Sequence, residues 1–209
     1  MSDGVTGLIL AGGHSRRMGR DKAFLPWGGV TLIEHIIKTL HPVVDELIVA
    51  VSDPRRFQHL PIRVVEDVVL DAHALGGLYT GLGVASNSVC FVCGCDAPFL
   101  NPVLIRYLIE QAEGYDLVIP QTAQGLHPLH AVYTKSALPA IEEQLQQGRW
   151  DLQALVPTLH TRIIGPQGWR RVDHAGLSFF NVNTPTDYLA AQELAGNLIR
   201  IMDTAPGPR

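Results

Sequence analysis

Cysteine is scarce in this chain of 209 residues, and charge is modest: there are three cysteines, and 17% of residues are charged against 46% hydrophobic. That balance excludes intrinsic disorder, which needs low hydrophobicity and high net charge. A membrane span is excluded as well, because no run approaches the roughly 20 apolar residues required. A basic excess is also missing. The formal net charge is −4, which argues against an extended nucleic-acid interface or an anionic-membrane surface, since both use a broad basic face. The opening Met-Ser-Asp-Gly lacks the basic and apolar regions of a secretory signal, so the expected compartment is the cytoplasm.

The three cysteines, Cys90, Cys93 and Cys95, share one apolar run. Their spacing could suggest a metal site. On a strand, however, Cys93 and Cys95 face one way and Cys90 the other, so they cannot converge on one ion. His127 and His130 are treated likewise: three-residue spacing on a strand points them to opposite faces and argues against a zinc pair.

Two common phosphate motifs are absent. Gly19 is followed by Arg20 and Asp21 rather than by Lys-Ser/Thr, and no G-x-G-x-x-G occurs. What is present is an apolar run, Val5 to Ala11, halted by Gly12 and Gly13, with Arg16, Arg17, Arg20 and Lys22 close behind. Glycines let the backbone turn and bring its N–H groups against an anion, and the basic side chains supply charge. A polyphosphate ligand is expected.

Strands and helices alternate over the rest of the chain. Apolar strands are expected at 47–51, 62–65, 89–95, 116–120, 131–134, 161–164 and 177–182, and helices at 31–40, 76–85, 101–112, 136–147, 151–155 and 185–200. Asn101 with Pro102 marks one helix start, and Thr184 with Pro185 another. The expected fold is α/β, a single domain over residues 1–202 whose mostly parallel sheet carries helices on both faces. A flexible tail is expected at 203–209. In such a sheet, ligands bind beyond the C-terminal strand ends. The loop after Leu10, Asp67 after the 62–65 strand, and Asp96 after Cys95 should therefore lie along one edge. Asp96 suits magnesium, which takes one or two carboxylates and fills its shell with phosphate oxygens and water. Turn capping is the other reading of Asp67 and Asp96.

The segment from Gly12 to Lys22 resembles the signature G-G-x-S-x-R-M-G-x-D-K of the molybdenum cofactor guanylyltransferase family, a Rossmann-like nucleotidyltransferase group. Gly12, Gly13, Ser15, Arg17, Met18, Gly19, Asp21 and Lys22 fill every fixed position. Cys95-Asp96-Ala97-Pro98 resembles the family's Cys-Asp-x-Pro, and Leu75-Gly76-Gly77 its G-P-L-x-G loop, with His73-Ala74 in place of Gly-Pro. His127-Pro128-Leu129 and Phe180-Asn181-Val182-Asn183-Thr184-Pro185 resemble two later motifs, so the likeness runs to about Gln192. Ala50 stands where some members carry an asparagine.

The resemblance implies transfer of GMP from GTP to the terminal phosphate of molybdenum-loaded molybdopterin, with magnesium as cofactor and pyrophosphate as product. It implies catalytic roles for Arg17, Lys22 and Asp96, and GTP contacts from Leu10, Ala11, Gly12, Gly13, Lys22, Asp67, Leu75, Gly77 and Asp96. Asp96 would be the metal ligand. Asn181 and Asn183 would touch the molybdopterin, helix capping being the alternative for them. Molybdopterin-inserting proteins and molybdoenzyme apo forms are the implied protein partners. Rival expectations are cytidylyl or sugar-phosphate nucleotidyl transfer on the same fold, and a carrier without catalysis.

Overall fold

The apolar run before the two glycines forms strand β1 (Val5–Leu10). Its alternation sets the layering. Leu8 and Leu10 enter one core cluster and Ile9 and Ala11 the other, so β1 is buried on both faces, as an interior strand of a parallel sheet must be. The computed structural model describes residues 4–12, 21–69 and 72–204. After β1 come the hairpin strands β2 (Pro26–Trp27) and β3 (Val30–Thr31), helix α1 (Leu32–Leu40), β4 (Glu46–Val51), β5 (Arg63–Glu66) and α2 (His73–Val84). Next are β6 (Val89–Gly94), α3 (Pro102–Glu110), β7 (Leu117–Thr122), β8 (Gly125–Leu126), β9 (His130–Thr134), α4 (Leu138–Gln146), β10 (Thr161–Ile164), α5 (Pro166–Trp169) and α6 (Pro185–Thr204). None of the described helices is long and apolar enough to cross a membrane.

The main sheet runs β10-β7-β9-β6-β1-β4-β5, with β8 paired to β7. β1 pairs in parallel with β4 and β6, as do β4 with β5 and β7 with β10. The expected mostly parallel sheet is observed, with one insertion: β9 runs antiparallel between β6 and β7. One face is covered by α1, α3, α5 and α6 through residues such as Ile36, Ile105, Trp169 and Ala191. The other is covered by α2 and α4 through Leu78, Leu82 and Ile141. Cys93 and Cys90 fall into opposite clusters, and all three thiols are free.

Local chemistry fixes the helix starts. Thr31 and Glu34 form a reciprocal capping box on α1, satisfying two orphan donors of the first turn. Asn101 caps α3 ahead of Pro102. Helix α2 carries four glycines at Gly76, Gly77, Gly81 and Gly83, a poor composition for a helix. The reason is contact rather than propensity: a Cβ on Gly81 would lie 2.3 Å from two atoms of Leu8, so glycine lets the helix lie directly on β1.

Several expectations need correction. Residues 177–182 do not form a strand. Gly176 adopts a left-handed φ of +66°, and Leu177–Phe179 is a short 3-10 turn. The Asp173 carboxylate accepts from the N–H groups of Gly176 and Ser178, holding that turn. Phe179, Phe180 and Val182 pack against the core, so the apolar pattern reflects burial without a ladder. The segment expected as a helix from 151 is a 3-10 run, Leu152–Thr158, containing Pro157. The helix expected from 136 opens with a 3-10 turn, Lys135–Ala137, before α4. Helix α6 reaches Thr204, past the expected tail boundary; residues 205–209 lie outside the described residues.

Candidate active site

β1, β4, β5 and β6 point the same way, so their C-terminal ends share one edge of the sheet. The chain moves from β1 outward through β4 and β5, then returns to add β6 on the other side of β1. A crevice opens where strand order reverses in this manner. There the structure brings together Leu10, Gly12, Lys22, Asp67, Gly77 and Asp96 around one cleft.

Asp67 follows β5, its N–H donating to the Val51 carbonyl (2.9 Å). Its carboxylate is wedged between two glycines. A Cβ on Gly12 would lie 2.9 Å from Oδ2, and one on Gly77 would lie 3.4 Å from Oδ1. Oδ1 is buried without a hydrogen-bond partner. Burial, and after it the negative charge of Glu66, pushes the Asp67 carboxyl up to about 6, because loss of water disfavours the ionised form.

Asp96 stands just beyond β6, where a Cβ on Gly94 would meet its Oδ1 at 2.6 Å. Its Oδ2 accepts from Lys22 Nζ at 3.1 Å, with the two side chains 22% and 16% exposed. The same ammonium donates to Asn183 Oδ1 at 2.7 Å. The Asp96 carbonyl accepts from the Val182 N–H at 2.8 Å, tying the segment before α6 to the end of β6. Lys22 is placed by the short 3-10 turn Lys22–Phe24, whose cap is Asp21.

Other expected site residues fall elsewhere. Ala11 is buried, with its N–H committed to the Ala50 carbonyl at 2.9 Å. Leu75 is fully buried in the core beneath α2 and does not line the cleft; helical geometry turns it inward while Gly77 faces the opening. Asn181 is exposed. Asn183 does not cap α6: Thr184 Oγ1 accepts from the Asp187 N–H, and Asp187 accepts from the N–H groups of Asn183 and Thr184. That arrangement leaves the Asn183 side chain to Lys22. Gly13 and Arg17 lie outside the described residues.

The opposite-face geometry expected of the two histidines is not observed. His127 precedes β9 rather than lying on it, and both imidazoles pack on one ring, Phe179, at 4.6 and 5.1 Å. His130 has neither ring nitrogen hydrogen-bonded, and burial lowers its pKa to about 3. It is a neutral core aromatic.

Sequence reasoning also missed residues of the cleft wall. His73 and Ala74, at the start of α2, line it together with Leu129. His73 has a left-handed φ of +51°, and the motif comparison carried the signal, since glycine is the residue expected at that position.

A geometry of this kind gathers a lone carboxylate that can accept two donors, a carboxylate already holding a cation, and a lysine beside it. It suits a nucleotide whose base lies at Asp67 and whose phosphates lie at Lys22 and Asp96. Known proteins agree in family. A protein from Pelotomaculum thermopropionicum, described as a probable molybdenum cofactor guanylyltransferase, is 38% identical over 193 residues, covering 92% of this chain and 94% of the relative. A molybdenum cofactor guanylyltransferase from Desulfosudis oleivorans is 35% identical, covering 91% and 95%. The crystal structure of molybdopterin-guanine dinucleotide biosynthesis protein A from Archaeoglobus fulgidus superposes with a TM-score of 0.82 at 25% identity, covering 92% of this chain and 99% of that one. The family model of the MobA-like NTP transferase domain matches residues 7–161, which take in the crevice and both of its carboxylates, and the chain belongs to that family.

Proposed function

We propose that this chain is a molybdenum cofactor guanylyltransferase, moving GMP from GTP to the terminal phosphate of molybdenum-loaded molybdopterin. The observation that carries the choice of base is Asp67, held between Gly12 and Gly77 with a buried, unpartnered oxygen. An ionised carboxylate only accepts hydrogen bonds. Guanine presents N1–H and the N2 amino group side by side, matching both oxygens. Cytosine offers one amino donor next to the N3 acceptor, which would leave an oxygen of Asp67 unpaired, and an unpaired buried polar group is costly.

In the reaction an oxygen of the acceptor phosphate attacks the α-phosphorus of GTP, and the bond to the β-phosphate oxygen breaks. The electron pair of that bond leaves with pyrophosphate. The attacking oxygen is already anionic, so no side chain need remove a proton, and the task is alignment and charge neutralisation. Lys22 supplies positive charge at the phosphate end, and the family resemblance adds Gly12, Gly13 and Arg17 as further phosphate contacts. Asp96 offers a hard oxygen donor at the cleft wall that already attracts a cation, Lys22, and this fits magnesium. When bound, the ion would supply Lewis-acid stabilisation of the phosphate oxygens. Asn181 and Asn183 would face the molybdopterin side, Asn183 also orienting Lys22.

The test is pyrophosphate release by the purified protein with GTP, CTP, ATP or UTP, with and without molybdenum-loaded molybdopterin, in magnesium and after chelation. Release with GTP that requires both acceptor and divalent metal is the expected result. Release with CTP alone would overturn the guanine assignment, and no release with any nucleotide would overturn the transferase reading.

A further inference from the structure

Lys22 is carried by a turn whose cap is a carboxylate. Asp21 Oδ1 accepts from the Ala23 N–H at 3.1 Å, so the turn needs a side-chain acceptor at this position. Yet the carboxylate places a negative charge one residue from the ammonium that would meet a triphosphate. Its second oxygen has a partner from a distant part of the chain: Arg56 Nη1 lies 2.7 Å from Asp21 Oδ2, and the carboxylate is only 12% exposed.

Arg56 belongs to the 3-10 segment Pro54–Phe57 that follows β4. Its guanidinium sits 5.3 Å from the centre of the Phe24 ring, on the same turn as Lys22. Phe24 in turn packs against Phe57, with ring centres 5.0 Å apart. Stacking on an aromatic face and pairing with a carboxylate both fix the plane of a guanidinium. The adjacent Arg55 behaves otherwise. It pairs with Asp53 of its own turn and is 82% exposed, the arrangement of an ordinary surface ion pair.

Resting on the reading of this cleft as a nucleotide site, we propose that Arg56 is a positioning residue for its phosphate end. It cancels the charge of Asp21 and clamps the Lys22 turn to the segment after β4, without touching the nucleotide itself. Asp21 can then cap the turn without repelling the triphosphate. Removing the guanidinium leaves a mostly buried carboxylate uncompensated beside the bound polyanion.

The experiment measures equilibrium binding of GTP, inorganic tripolyphosphate and guanosine, in magnesium, to the full chain and to Arg56→Ala, Arg56→Gln, Arg55→Ala, Asp21→Asn and Asp21→Asn/Arg56→Ala. Melting curves confirm that each variant is folded. Arg56→Ala and Arg56→Gln should weaken GTP and tripolyphosphate about tenfold and leave guanosine unchanged. KM for GTP should rise while kcat holds. Arg55→Ala should stay within about twofold, as expected of an exposed pair. Asparagine can still cap the turn but carries no charge, so the double variant should recover most of the lost affinity. A tripolyphosphate affinity unchanged by Arg56→Ala would overturn the proposal alone, as would a loss that Asp21→Asn does not recover, which would mean direct contact with phosphate. A wild-type chain that binds neither GTP nor tripolyphosphate would overturn the nucleotide-site reading, and the role of Arg56 with it.

Discussion

The two ends of the cleft solve opposite problems with the same side chain. At the Asp67 end the carboxylate is stripped of water, wedged by glycines and left with an unpartnered oxygen. At the Asp96 end the carboxylate holds Lys22, which also reaches Asn183. Both acids stand just past the C-terminal end of a parallel strand, so topology alone does not distinguish them. The difference lies in what surrounds them. Desolvation makes Asp67 a demanding acceptor for neutral N–H donors, whereas a cationic environment keeps Asp96 suited to charge. On the proposed function, base recognition would fall to the first and phosphate chemistry to the second.

The largest expected effect breaks the Asp96 end. Asp96→Asn keeps shape and hydrogen-bonding capacity but removes the charge that Lys22 pairs with and that a metal would need. Turnover should fall by about a thousandfold or more while the melting transition remains cooperative. Pyrophosphate release across a magnesium titration checks it, and turnover close to wild type would remove Asp96 from the chemistry.

Asp67→Asn should act differently. It replaces one acceptor with a donor facing the donors of guanine, so KM for GTP should rise by about 30- to 100-fold with a smaller change in kcat. The pH profile sharpens the point. With its pKa near 6 in the folded chain, Asp67 protonates as pH falls through 6, and GTP affinity should drop there. Stability should move the other way. The folded state binds this proton more tightly than the unfolded state, so stability from this group is gained below pH 6 and lost as pH rises from about 4 to above 6. Both steps should be absent in Asp67→Asn. Persistence of the affinity step in that variant would assign it to another group.

Gly12→Ala tests the wedge itself. The added Cβ would sit 2.9 Å from Asp67 Oδ2, forcing the carboxylate or the turn aside, and about a tenfold rise in KM for GTP is expected from such overpacking. If the effect acts through Asp67, it should be much smaller in the Asp67→Asn background, a non-additivity that a double-mutant cycle reads directly. Full additivity would locate the damage in the phosphate loop instead.

Much of this cleft was legible in the sequence because strand ends are. An apolar run that stops at Gly12, and acids that follow β5 and β6, define a common edge once the sheet is taken as parallel. The cysteine faces followed from strand alternation in the same way. What escaped depends on contacts distant in the chain. Leu75 matches a motif position, but the helical turn of α2 directs it into the core. Residues 177–182 have strand-like composition, yet Asp173 and the left-handed Gly176 hold a 3-10 turn there. Arg56 lies in an unremarkable segment after β4, and only its approach to Asp21 gives it meaning. The antiparallel β9 was read as a strand, but its direction is set by pairing with β6 and β7, which local pattern does not encode.

The smallest effect concerns the rim between the two ends. His73 opens α2 with φ at +51°, a backbone geometry that a Cβ makes unfavourable by roughly 1–2 kcal/mol and that glycine adopts freely. His73→Gly should therefore relieve local strain. Glycine also loses more chain entropy on folding, offsetting roughly 0.5–1 kcal/mol. The net gain should be about 0.5–1 kcal/mol, a rise in Tm of about 2–3 °C for a domain of this size, measured by thermal melting at a pH where Asp67 is ionised. Because His73 lines the cleft beside Gly77, KM for GTP is read in the same variant. A higher Tm with a raised KM would mean the imidazole holds the nucleotide at the cost of backbone strain, extending the Asp67 end of the cleft to include it. A higher Tm with KM unchanged would confine base recognition to Asp67, and a fall in Tm would show that the imidazole stabilises the fold by more than the strain it imposes.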